Sequence, residues 1–216
     1  MTSNRTAVLA LAFAALAAAP LARAGVDEDV RQLQHEWEEI KYRKPAADQE
    51  KAYESLSQTA GAVRTKYADR AEPEIWYGII LASYAGAKGG LGALSLAKEA
   101  KQALEHALAL DPKALAGSAY TSLGSLYYQV PGWPIGFGDD KKARALLQTA
   151  LTLNPDGIDP NFFLGDFLYR KGDYAGARKA LDQALKAPPR PDRPLADEGR
   201  RNEIQELLVK IRDKNG

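Results

Sequence analysis

Two histidines, His35 and His106, are the only imidazoles in this 216-residue chain, and it contains no cysteine. Disulfides, thiol nucleophiles, iron–sulfur clusters and thiolate zinc sites are therefore excluded. Neither histidine has a second metal ligand at a useful spacing. His106 lies beside Ala107 but off the apolar seam of its segment, on the expected solvent side, and His35 sits among acids beside Trp37. Glu38-Glu39 and Asp139-Asp140 are carboxylate pairs in sequence only, because adjacent helical residues do not face each other. Asp139-Asp140 stands where a helix start would favour acids through its dipole. No nucleophile–base pair, phosphate loop or metal motif is legible, so the expectation is a non-enzyme without cofactor or metal. Lys plus Arg is 29 and Asp plus Glu is 28, a balance that gives no electrostatic reason to expect nucleic acid or an anionic membrane surface as partner.

Binding is the chemistry that remains, and the elements that would position it are visible as a repeat. Ala100, Leu104, Ala107 and Pro112 recur as Ala143, Leu147, Ala150 and Pro155, and again as Ala177, Leu181, Ala184 and Pro189. Steps of four and three place Ala, Leu and Ala on one helical face, and the proline, having no N–H to donate, ends the run. Before each seam stands a large residue followed by glycine: Tyr77-Gly78, Leu123-Gly124 and Leu164-Gly165. Glycine inside a helix costs about 1 kcal/mol against alanine, so three at one phase imply close approach of a partner helix. This spacing resembles the tetratricopeptide repeat, best over Ile158–Pro191 with the turn Lys171-Gly172-Asp173-Tyr174.

The expected architecture is all-α: a tetratricopeptide-type helical-hairpin solenoid of about nine helices with a C-terminal capping helix. Residues 25–70 read as a degenerate N-terminal hairpin, with Val30, Leu33, Trp37 and Ile40 on one face and Tyr53, Leu56, Ala60, Val63 and Tyr67 on another. Residues 71–191 hold three repeats, and 192–216 hold the cap, with Ile204, Leu207, Leu208 and Ile211 on its apolar side. Residues 1–24 read as a removable secretory signal peptide. Arg5 precedes the apolar run Ala7–Ala19, and Ala22-Arg23-Ala24 supplies an A-x-A cleavage site. The run is shorter than the ~20 residues a spanning helix needs, and no cysteine follows for lipid attachment. A periplasmic protein without a lipoprotein anchor and not spanning the membrane is expected.

Two departures from regular spacing mark a candidate binding edge. Thirteen residues separate Leu164 from Ala177, whereas twenty separate Leu123 from Ala143 and twenty-three separate Tyr77 from Ala100. We expect two loop insertions on one edge of the solenoid, often the binding face: Lys88–Gly92, mobile by composition, and Val130–Gly138. In the latter, prolines and glycines shape the backbone while Trp133, Ile135 and Phe137 present apolar bulk. That loop could cover a groove or enter a partner; alternatively, Trp133 folds back to plug a gap between hairpins.

The first helix of each hairpin is expected to line the concave face. It would bring Glu72, Ile75, Ile79 and Ser83 from one repeat, and Ser118, Thr121, Ser125, Tyr128 and Gln129 from the next. Phe162, Asp166, Tyr169 and Arg170 come from the last. Apolar walls with a few polar groups suit a small ligand or an extended peptide. Arg170 could clasp a carboxylate with its forked donors, but Asp166 four residues earlier more simply makes it an i,i+4 surface pair. Trp76 and Tyr77 read as core.

A narrower resemblance rests on Gly117-Ser118-Ala119-Tyr120, Leu123-Gly124, Tyr127-Tyr128, Pro131-Gly132-Trp133-Pro134 and Gly136-Phe137-Gly138-Asp139. Over about Ala93–Pro189 the chain resembles the T-component of certain TRAP transporters, the TatT-like periplasmic proteins. The resemblance implies an all-helical repeat protein that associates with a periplasmic solute-binding protein and handles hydrophobic or carboxylate ligands. It also implies that the chain could form a homo-oligomer. The missing lipid-attachment cysteine departs from the anchored members of that family. A general protein–protein scaffold for envelope assembly, using the same groove for a peptide, is the alternative.

Overall fold

A computed structural model describes the backbone of residues 6–214 and the side chains of residues 25–214 other than Leu91. The expected signal peptide, residues 1–24, lies outside the described side chains. Among the described residues nine α-helices occur in chain order: α1 (Thr6–Arg43), α2 (Ala46–Lys66), α3 (Ala71–Lys88), α4 (Gly90–Leu110), α5 (Ser118–Gln129), α6 (Asp140–Leu153), α7 (Ile158–Arg170), α8 (Tyr174–Leu185) and α9 (Pro194–Lys214). Those residues hold no strand, only one isolated backbone bridge between Gly132 and Gly138. No helix among them is long and apolar enough to cross a membrane.

The repeat seam is the core. Ala100, Leu104 and Ala107 in α4, Ala143, Leu147 and Ala150 in α6, and Ala177, Leu181 and Ala184 in α8 are all completely buried. Each seam leucine faces the glycine of the preceding helix. A Cβ added to Gly78, Gly124 or Gly165 would stand 2.7, 2.9 or 2.7 Å from Cγ of Leu104, Leu147 or Leu181. The helices of each hairpin approach so closely that only hydrogen fits between them. Helices α3 and α4, α5 and α6, and α7 and α8 pair accordingly, making an all-α tetratricopeptide-type solenoid. Capping follows local chemistry. The Asp139 carboxylate accepts from the N–H groups of Lys141 and Lys142 at the start of α6, and Asp173 accepts from Gly176 N–H at the start of α8. Gly172, at φ 80°, turns the chain between α7 and α8 in the left-handed region that glycine enters freely.

Three expectations change. Residues 88–92 are not a loop: α3 runs to Lys88 and α4 starts at Gly90, joined at Gly89. The extra residues of that repeat lengthen both helices, because Tyr84, Ala85 and Ala97 give the extension its own buried face. Ile75 is fully buried in the repeat core and Glu72 pairs with Arg70 at 2.7 Å, so neither lines the concave side. Finally, neither histidine is simply solvated. His106 Nδ1 lies 2.7 Å from the buried carboxylate of Glu74, which also forms an ion pair with Arg64 Nε at 2.8 Å, tying α2, α3 and α4 together. His35 Nδ1 lies 2.8 Å from buried Glu38.

The cap does more than end the array. Helix α9 packs on α7 and α8 and also reaches α1, at the other end of the solenoid. Gly199 lies against the Tyr42 ring, so close that a Cβ would meet it, and Ala196 N–H donates to Glu38 Oε2 at 3.2 Å. First and last elements thus meet across the concave side.

Candidate functional site: the concave groove

Closure by α9 leaves a groove of about 730 Å³. Its walls are α1–α3, α5, α7, the segment before α9 and α9 itself. From the repeats come Ile79, Ser83, Ser118, Thr121, Ser122, Ser125 and Gln129, then Phe162, Asp166 and Arg170. These positions recur on α3, α5 and α7 because first helices of successive hairpins share one phase. Thr121 and Ser125 are buried, their hydroxyls sitting low in the wall, while Gln129 is exposed at its edge.

Four expected site residues are placed elsewhere. Tyr128 is buried, and its hydroxyl donates to Asp166 Oδ2 at 2.7 Å, linking α5 to α7 behind the wall. Burial, reinforced by that carboxylate, pushes the Tyr128 hydroxyl well above its ordinary value. Tyr169 packs against Tyr174 with the rings tilted, 5.6 Å between centroids, on the side of α7 that faces α8. Trp133 and Phe137 belong to the 130–138 loop, which does not reach the groove. Phe137, not Trp133, folds back: its ring meets Tyr127 edge-on at 5.5 Å, while Trp133 stays 89% exposed. The loop curls on itself through Gly138 N–H to Pro131 O at 3.0 Å and Asp139 N–H to Tyr127 O at 2.8 Å. Arg170 donates to Asp166 Oδ2 at 3.0 Å, the surface pair its spacing implies.

The other half of the groove was not legible from repeat spacing. Trp37, Tyr42, Tyr53 and Trp76 line it with Arg190, Arg193 and Arg200. Trp76 was expected in the core, and it is buried, but as part of this wall. Two of the arginines are held by carboxylates. Arg190 donates to Asp197 at 2.6 Å and to Asp159 at 2.8 Å. Arg200 donates to Asp159 at 2.9 Å and to Glu203 at 2.6 Å, with its guanidinium 4.2 Å from the Phe162 ring centre. Burial alone would raise the Asp159 carboxyl, but the Arg200, Arg190 and Arg193 charges outweigh it and hold the group below the usual carboxylate range. The signal for this half was the Arg190-Pro191-Asp192-Arg193-Pro194 run, arginines set in a stiff linker. No repeat phase says which way they face.

A second depression, of about 370 Å³, lies over Phe167 between α6 and α7. It is lined mostly by exposed charged side chains such as Lys141, Arg144 and Lys171, and has no buried polar group of its own. The concave groove is the better-built site.

Residues 135–211 match the tetratricopeptide repeat family model. A thermophilic TPR protein of Thermus thermophilus superposes with a TM-score of 0.57 at 19% identity, over 76% of this chain and 75% of its own. MamA aligns at a TM-score of 0.45 and 19% identity, over 76% of this chain and 89% of its own. No curated protein matches the chain. From within the 130–138 loop into α9 the chain is thus similar in sequence to the tetratricopeptide repeat, and its fold is a solenoid of that type.

Proposed function

We propose that this protein is an interaction module whose concave groove takes a short extended segment of a protein partner. The observation that carries the reading is the groove of about 730 Å³, lined in phase by Thr121, Ser125, Gln129, Phe162 and Arg170 and roofed by no side chain of the 130–138 loop. Helical-repeat folds present such concave faces as binding surfaces, and mixed hydroxyl and aromatic walls suit backbone and apolar side chains together. The narrower reading couples the chain to a TRAP transporter, with a solute-binding protein as partner and a small apolar or carboxylate ligand. It is supported by the Pro131–Asp139 loop motif and by a groove volume within the ~300–1,000 Å³ of small-ligand sites. Export to the periplasm, supported by the residue order of 1–24, fits both.

The test is native mass spectrometry of the protein isolated from its own cells, beside a Ser122→Trp variant whose indole would fill the groove. A partner or ligand held by the wild type and missing from an equally stable variant is the expected result. Equal retention by both would overturn the groove reading.

A further inference from the structure

Three buried polar atoms in the molecule find no hydrogen-bond partner among the described residues: Tyr53 Oη, Trp76 Nε1 and Arg193 Nε. All three residues line the same groove. They come from α2, α3 and the segment before α9, so no single local conformation accounts for them. Trp76 is 4% and Tyr53 1% exposed, and a buried donor left unpaired pays its full desolvation without return.

Arg193 is the odd one among the groove arginines. Arg190 and Arg200 each donate to two carboxylates. The Arg193 guanidinium makes no hydrogen bond to any described residue, although its side chain is only 13% exposed. Its nearest carboxylate, Glu38, stands 3.8 Å away and already accepts from Ala196 N–H, with His35 Nδ1 at 2.8 Å. The indoles hold the guanidinium in place, its carbon 5.0 Å from the Trp76 ring centre and 5.9 Å from that of Trp37. Burial, then the neighbouring Arg190 charge, lowers Arg193 from its ordinary value. A buried positive fork is thus packed on aromatic faces with its donors unused.

The ligand chemistry follows. Trp Nε1 and a guanidinium only donate, so the ligand atom must accept; an ammonium is excluded. The long Glu38 pair leaves the guanidinium donors without a hydrogen-bonded acceptor, and a planar fork fits a planar oxyanion. The surrounding rings favour an apolar body next to it. We propose that Arg193, Trp76 and Tyr53 form a carboxylate subsite of the groove, receiving a monocarboxylate borne on an apolar body. The subsite rests on the reading of the groove as the binding face. It supplies the groove with a polarity: the carboxylate end lies against α2, α3 and the segment before α9, away from Arg170.

A Trp133→Phe background leaves Trp37 and Trp76, both in the groove wall, as the only tryptophans. Their fluorescence reports titrations with octanoate and octanamide, and with an apolar heptapeptide bearing a free or an amidated C-terminus. In at least one pair the acid should bind tenfold or more tighter than its amide, the size of a charge-assisted hydrogen-bond pair. Arg193→Gln should abolish that preference. The variant should remain folded, with a modestly lowered urea midpoint, because the Arg193 side chain gives the fold no hydrogen bond, only the long Glu38 pair and the indole contacts. Tyr53→Phe, which keeps the ring, should weaken the acid a few-fold. Preference for the acid in the peptide pair identifies a chain end as the source of the carboxylate. Preference confined to octanoate identifies a small free acid, supporting the subsite while counting against the peptide reading. Peptides that bind equally with free and amidated ends, with octanoate no better than octanamide, would overturn the subsite and leave the groove reading standing. Retention of the acid preference in Arg193→Gln would overturn it as well.

Discussion

Asp159 shows how one carboxylate can organise a site. It accepts from Arg190 and Arg200 at once, and those arginines, with Arg193, hold it below its ordinary value against the opposing effect of burial. The stabilisation is therefore complete above the unfolded carboxylate value, near pH ~3.9, and is lost as pH falls through the window beneath it. Asp159→Asn should cost on the order of 1–3 kcal/mol at pH 7 by leaving two arginines short of an acceptor. The gap between wild type and variant in urea unfolding should narrow as pH falls below ~4. A gap that stays constant with pH would show that Asp159 is not linked in this way. At the other edge of the molecule, Trp133 and Phe137 exchange their expected roles. Trp133→Ala should leave the urea midpoint within about 0.5 kcal/mol, since the ring is 89% exposed. Phe137→Ala should cost about 1–2 kcal/mol by removing the ring that meets Tyr127. Spacing alone could not choose between the two aromatics: both stand in an irregular loop where neither a 3.6- nor a 2-residue period assigns a face.

At the level of the element, glycine and leucine account for the repeat. Gly165→Leu should force α7 away from α8, because a Cβ would already stand 2.7 Å from Leu181 Cγ and 3.4 Å from Ala177 O. A loss of ~1–3 kcal/mol in urea unfolding is expected, and an unchanged midpoint would show that the hairpin does not depend on that close approach. Seam, glycines and turns were legible because each is a local rule: a face of small residues, a missing side chain, a left-handed turn. The long hairpin α3–α4 was not. Ten extra residues between Tyr77 and Ala100 are compatible with a loop or with two longer helices, and Lys88-Gly89-Gly90-Leu91-Gly92 suggests the loop. Burial of Tyr84, Ala85 and Ala97 decides for the helices, and burial is a tertiary fact. The arginines at 190, 193 and 200 were missed for a related reason. Arg190 stands at the very end of the last repeat and Arg193 and Arg200 beyond it, past the last helical phase that assigns a face.

For the whole molecule, the consequence of that return is a groove bounded at both ends by one chain. The first hairpin, the three repeats and the cap all contribute to its wall, so a ligand there would touch elements from Trp37 to Lys210. The repeat half of the wall, Ile79 through Arg170, could be named from phase, while the aromatic and arginine half needed the folded molecule. Binding in this groove should therefore stabilise the protein as a unit, raising Tm with the logarithm of free ligand concentration above Kd. The central claim, that partners enter the concave face and not the exposed loop, is tested most directly by site-specific photo-crosslinking in the native host. A photoreactive residue at Gln129, exposed at the groove edge, is compared with one at Trp133, exposed on the loop. Capture of a partner from position 129 and not from position 133 is expected. Capture from 133 with none from 129 would contradict it.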